Sequence, residues 1–113
     1  MAKHNQTGKT GEELAAEYLI ARGYIIRDIN WKNGKLELDI VAYKDQTLIV
    51  VEVKTRSSDL FGHPEDAVNT RKIRHIIDAT DTYIQKYDLP FEVRFDIISV
   101  SYTHLRAHET SLH

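Results

Sequence analysis

The chain has 113 residues, 15 basic and 17 acidic, for a formal net charge of −2, and it contains no cysteine. That length suits one domain, which buries roughly two thirds of the surface its unfolded chain would expose, enough for a single core. Disulfides and thiolate metal sites are excluded, no apolar run approaches the roughly 20 residues that span a bilayer, and the balanced charge does not advertise nucleic acid, so such a partner must be met by local clusters.

Residues 1–9 are polar and expected to fray. They lack the apolar stretch of a signal peptide, which together with the missing cysteines points to the cytoplasm. Thr10 is placed to cap a helix, with Glu13 at its third position in a capping-box pattern. Leu14, Ala15, Tyr18 and Leu19 share one helical face, Arg22 can lay its stem along it, and Gly23 closes the helix. Tyr24 to Ile29 reads as a strand, with Asn30 to Gly34 as the following turn. Leu36 to Ala42 is a second strand, in which Leu36, Leu38 and Ile40 point one way and Glu37, Asp39 and Val41 the other. Lys44-Asp45-Gln46-Thr47 is a hairpin turn. Leu48 to Lys54 is apolar on both faces until Glu52, as a central strand covered on both sides would be.

Ser57 to His63 reads as a loop and Pro64 to Val68 as one helical turn. Thr70 is placed to cap a longer helix that carries Ile73, Ile76, Ile77, Tyr83 and Ile84 inward, and Phe91 to Val100 is the last strand. The order is αβββαβ: an α/β fold with a mixed sheet flanked by helices, all within residues 1–100. Residues 101–113 continue no apolar period. The run Ser101-Tyr102-Thr103-His104-Leu105-Arg106-Ala107-His108-Glu109-Thr110 resembles a translated sequencing adapter, so a non-native or disordered tail is expected there.

The chemistry gathers at the end of the third strand. Glu52 and Lys54 lie two residues apart and therefore look into the same space, about 6.6 Å apart along the strand. A turn centred between Asp45 and Gln46 sets Asp39 opposite Glu52, on a neighbouring strand about 4.8 Å away. Two carboxylates at that spacing repel unless one is protonated or a cation lies between them. Magnesium suits the gap, taking one or two carboxylates and completing its shell with water and phosphate oxygens, and Lys54 would orient an attacking water or stabilise the anionic transition state. At 100° per residue Glu12 sits beside Ala15, Ala16 and Leu19 on the inner edge of the first helix, while Glu13 and Glu17 lie toward solvent.

Each group has a plainer role. Glu-x-Lys on a wet strand is commonly a surface ion pair of little energetic weight, and Glu12 is also a first-turn carboxylate that the helix dipole favours. Arg56, Arg71, Lys72 and Arg74 can contact phosphates or simply solvate a loop and a helix face. His63, beside Gly62 and Pro64, can act as a general base or be polar surface, and the adapter-like run explains His104, His108 and His113 better than a metal tract does. Trp31 can stack a base, but a partly buried aromatic near a strand turn is the simpler reading.

Gly8-x-x-Gly11-Glu12-x-x-Ala15, Leu36-Glu37-Leu38-Asp39-Ile40-Val41-Ala42, Val51-Glu52-Val53-Lys54-Thr55-Arg56 and then Lys72 occur in that order. This pattern resembles the YraN-like family of uncharacterised bacterial proteins over about residues 8–100. That family is itself similar to archaeal Holliday-junction resolvases and to the wider restriction-endonuclease-like superfamily. The resemblance implies the restriction-endonuclease-like αβββαβ core, metal dependence and phosphodiester hydrolysis. It puts Glu12, Asp39, Glu52 and Lys54 in the active-site places, and Asp39, Glu52 and the Val53 carbonyl around a metal. It supports Lys72, and with it Arg56, as nucleic-acid contacts. Leu36 departs from the pattern, since the family usually has glycine there. Superfamily relatives often work as homodimers, because cutting two strands needs two sites. The expectation is a Mg²⁺-dependent DNA endonuclease, with Mn²⁺ as the alternative ion, acting on branched or damaged DNA. The rival expectations are a non-catalytic nucleic-acid-binding module and a structural partner in a DNA-processing complex.

Overall fold

The computed structural model describes residues 8–56, 69–101 and 106–112, with Arg56 and residues 106–112 described through their backbone alone. Helix α1 (Gly11–Ala21) starts at the expected capping box: Thr10 Oγ1 accepts from the Glu13 N–H at 3.1 Å, and Glu13 accepts from the Thr10 N–H at 2.8 Å. It ends in a Schellman arrangement, with Gly23 at φ +87° and the Tyr24 N–H donating back to the Leu19 carbonyl at 3.1 Å. The guanidinium of Arg22 lies 3.5 Å from the centre of the Tyr18 ring, as its long stem allows.

Strands β1 (Ile25–Asn33), β2 (Leu36–Lys44) and β3 (Thr47–Arg56) form an antiparallel meander. The β2–β3 hairpin turns on Asp45 and Gln46, both at positive φ, which matches the right-handed twist of the flanking strands. β1 extends beyond the expected Ile29. Asn30 takes a left-handed φ of 55° inside the strand instead of opening a turn, and the connection shrinks to Gly34 and Lys35.

Helix α2 (Thr70–Tyr87) carries the chain to β4 (Glu92–Ser101), which pairs parallel to β3. Its cap is Asn69, one residue before the expected Thr70: Asn69 Oδ1 accepts from the Lys72 N–H at 2.9 Å, a role asparagine fills well. The inward stripe centres on Ile76, Ala79, Thr80 and Tyr83. Ile77, about 120° round the helix from Tyr83, is therefore 50% exposed, and Ile73, in the first turn, is 42% exposed, where inward positions were expected. Of the expected tail, Ser101 ends β4 and residues 106–112 form an edge strand, β5 (Arg106–Leu112), antiparallel to β4. The loop expected over 57–63 and the turn over 64–68 lie outside the described residues.

The sheet has the order β1-β2-β3-β4-β5 and is mixed, with a helix on each face. It is the expected αβββαβ order with one strand added. Ala15, Ala16 and Leu19 of α1 pack on Ile40, Ala42, Ile49, Val51, Ile98 and Val100. Ala79 and Tyr83 of α2 pack on Val41, Leu48, Val50 and Trp31. Leu48 to Val51 are thus buried on both faces of β3, as its unbroken apolar run requires. The Tyr83 hydroxyl donates to Asp28 at 2.6 Å and accepts from Arg27 at 3.0 Å, which satisfies a polar group carried into the α2 layer.

One expected alternation fails. Ile40 lies on the α1 side, whereas Leu38, its partner Trp31 and the flanking Leu36 belong to the α2 side together with Val41. The phase slips at Asp39, opposite the left-handed Asn30, and local backbone conformation overrides the two-residue period. No helix among the described residues is long and apolar enough to cross a membrane.

Candidate functional site

The β2–β3 ladder runs from Lys44↔Thr47 to Ile40↔Val51. Asp39 and Glu52 are the next residues of the two strands, equally far from the hairpin, as the turn position required. Beyond the ladder the Val53 N–H donates to Asp39 Oδ2 at 2.8 Å, so a carboxylate meets a main-chain donor there. The phase slip thus leaves Asp39 bridging to β3.

Glu52, on β3, is held from two directions. Lys72 Nζ, on the first turn of α2, stands 2.6 Å from Glu52 Oε2, and Lys54 Nζ stands 3.9 Å from the same oxygen. The Glu52 side chain is only 13% exposed, so its charge depends on these partners. From α1, Glu12 comes in as expected: half-buried, with Glu13 and Glu17 exposed beside it. Its Oε1 is buried and has no hydrogen-bond partner among the described residues. Four elements therefore converge on one place: α1, β2, β3 and α2.

The electrostatics follow from that convergence. Burial pushes the Asp39 carboxyl up to about 6, and the neighbouring charges of Glu52 and Glu12 add to the rise. The Val53 N–H and Lys72 pull the other way without cancelling it. Lys54 is lowered by burial and by the Lys72 ammonium beside it. For Lys72 burial acts downward, but its bond to Glu52 and that charge outweigh it and hold it above the ordinary lysine value. For both Asp39 and Lys54 the largest effect is burial, which disfavours the charged form. A small pocket of about 20 Å³, lined in part by Asp39, Glu52, Val50, Ile76 and Phe95, adjoins the carboxylates and has room for a water molecule.

Among the described residues no three carboxylate or imidazole side chains stand as a ready metal cluster. The donors nevertheless suit a hard divalent ion. Magnesium needs only one or two protein carboxylates and keeps several waters, and Asp39 with Glu52 supplies that pair. Glu12 Oε1, without a hydrogen-bond partner among the described residues, offers a further acceptor. Glu52 would first have to leave Lys72.

Arg71 and Arg74 are exposed on α2. The side chain of Arg56, together with His63, His104 and His113, lies outside the described residues, and of His108 only the backbone in β5 is described. Trp31 does not offer a stacking face. It is 7% exposed, edge-on to Tyr83, with its indole N–H donating to the Tyr87 hydroxyl at 3.3 Å. The contact of Lys72 with Glu52 was not foreseen. Its signal in the sequence is a local mismatch: Arg71 and Lys72 open a helix with no acidic residue in its first turn, against the helix dipole.

Residues 11–100 match the family described as Uncharacterised protein family UPF0102. A UPF0102 protein of Phocaeicola vulgatus is 58% identical over 100 residues, covering 88% of this chain and 83% of the relative. Those of Bacteroides thetaiotaomicron and Flavobacterium psychrophilum are 51% and 49% identical over the same length, covering 88% of this chain and 83% and 84% of theirs. By a match over most of its length, and by identities of this size, the chain belongs to the uncharacterised UPF0102, or YraN, family.

Proposed function

We propose that this protein is a Mg²⁺-dependent endonuclease that hydrolyses DNA phosphodiester bonds. The observation that carries the reading is the convergence of Glu12, Asp39, Glu52 and Lys54 from three separate elements, with Asp39 pushed up to about 6 by burial and by its acidic neighbours. Crowded carboxylates are costly to maintain, and a site that keeps them beside lysines is suited to a divalent ion and a phosphate.

In this reading Asp39 and Glu52, with the Val53 carbonyl, would hold the ion, and Glu12 would offer a further carboxylate acceptor beside it. A bound Mg²⁺ would lower the pKa of a water and neutralise charge on the phosphate. Lys54 orients the attacking water and stabilises the charge that develops on the phosphoryl oxygens. Water adds to phosphorus, the bond to one bridging oxygen breaks, and the products are a phosphate monoester and a hydroxyl. Arg56 and Lys72 take neighbouring phosphates, which sets position and not sequence. Branched or damaged DNA is the proposed substrate, and a homodimer would cut both strands.

The second reading, a non-catalytic nucleic-acid-binding module, is favoured by one observation: Glu52 is already engaged by Lys72 at 2.6 Å. Incubating the protein with linear, nicked and branched DNA in Mg²⁺ and in Mn²⁺ separates the two. Cutting of at least one form that Glu52→Gln abolishes supports the enzyme. Binding without cutting, in either metal and on every form, establishes the module.

A further inference from the structure

We propose that Lys72 is a resident counter-cation that holds Glu52 until a divalent ion displaces it, and that the released ammonium then meets the phosphodiester. The inference rests on the reading of Asp39 and Glu52 as metal ligands.

Distance separates the two lysines. Lys72 Nζ is 2.6 Å from Glu52 Oε2, a charge-assisted hydrogen bond, whereas Lys54 Nζ is at 3.9 Å, outside hydrogen-bond range. Lys72 thus occupies the coordination that a metal would need from that oxygen. Anchorage separates them too. Lys54 stands on a sheet strand and its side chain is 22% exposed, while that of Lys72 is 41% exposed and leaves the first turn of a helix on a flexible stem. Only the head of Lys72 has to swing, because its main-chain N–H stays fixed by Asn69 at 2.9 Å.

Charge supplies the reason for an exchange. Glu12, Asp39 and Glu52 set three carboxylates against the two ammoniums of Lys54 and Lys72. With a dication and Lys54 in place, three carboxylates are neutralised and Lys72 is left with one positive charge. A phosphodiester brings one negative charge. Lys72 also sits poorly at a helix N-terminus unless an anion compensates the dipole's positive end, and phosphate is the anion such ends commonly bind. In this structure the anion that Lys72 meets is Glu52.

Calorimetric titration of Mn²⁺ into the full chain, without DNA and at one pH and ionic strength, tests the exchange. Wild type, Lys72→Met and Lys54→Met are compared, with far-UV circular dichroism confirming the fold of each. Lys72→Met is expected to bind Mn²⁺ about tenfold tighter than wild type, and Lys54→Met less than about threefold tighter, because both remove one charge but only Lys72 caps the ligand. Lys72→Gln, which retains a polar head, should reproduce the tightening. In Ca²⁺ a labelled branched duplex should bind Lys72→Met more weakly than wild type. Equal tightening by both Met variants, or none by Lys72→Met, overturns the exchange and leaves the metal reading intact. Failure of all the proteins to bind Mn²⁺ overturns the metal reading, and the exchange with it.

Discussion

Replacing Asp39 with asparagine should make the metal-free protein more stable at pH 8, although it removes a residue assigned to the site. The Asp39 carboxyl is raised from 3.8 to about 6. In the unfolded chain it titrates at its ordinary value, so between those two pH values the folded state keeps a proton that the unfolded state has lost. Stability therefore falls as pH rises through that window, and the loss is complete above about pH 6. A shift of about two units corresponds to about 3 kcal/mol at 1.36 kcal/mol per unit, an upper bound because the carboxyl is only part-buried. Asparagine resembles the protonated acid and keeps an oxygen for the Val53 N–H. Asp39→Asn should thus gain about 1–3 kcal/mol at pH 8 in EDTA, about 4–12 °C at roughly 4 °C per kcal/mol for a domain of this size, and almost nothing at pH 4. Urea unfolding at both pH values, with unchanged slope, measures it. A variant less stable than wild type by 1 kcal/mol or more at both pH values would refute the reasoning. It would make Asp39 a structural acceptor for Val53 and nothing else.

Other consequences are open to direct measurement. Mg²⁺ at a hundred times its dissociation constant should stabilise wild type by about 2.7 kcal/mol, visible as a rise in melting temperature that Asp39→Asn abolishes; an equal rise in the variant would place the ion elsewhere. Tyr83→Phe removes the hydroxyl between Asp28 and Arg27 and should cost about 1–3 kcal/mol by denaturant unfolding, with cleavage unchanged once folded. Thr10→Ala breaks the capping box of α1 and should cost about 1 kcal/mol. A neutral outcome there would mean that packing of Ala15, Ala16 and Leu19 alone holds the helix.

Elements were legible where one local rule decided them, as at the Thr10 capping box of α1. The two-sided apolar run of Leu48 to Val51 announced a central strand, and equal spacing from Asp45 and Gln46 set Asp39 opposite Glu52, which the structure puts one residue past the last ladder pair, Ile40↔Val51. Glu12 was legible because helical phase alone separates it from Glu13 and Glu17. What stayed hidden depended on backbone choices made far from the residue concerned. Asn30 adopts a left-handed conformation within a strand, so the alternation slips and Leu38 changes face. The phase of α2, with Tyr83 docked edge-on against Trp31, leaves Ile77 outside. Lys72 reaches Glu52 only because α2 starts beside the end of β3, a tertiary fact that no short motif encodes.

The most direct test of the central claim is the single-turnover rate at which the purified full chain cuts an end-labelled branched DNA in Mg²⁺, wild type against Asp39→Asn. Metal-dependent cutting should stop in EDTA and fall by at least about a thousandfold in the variant, about 4 kcal/mol of transition-state stabilisation. Cutting that persists in EDTA, or that Asp39→Asn leaves within a few-fold of wild type, would contradict it.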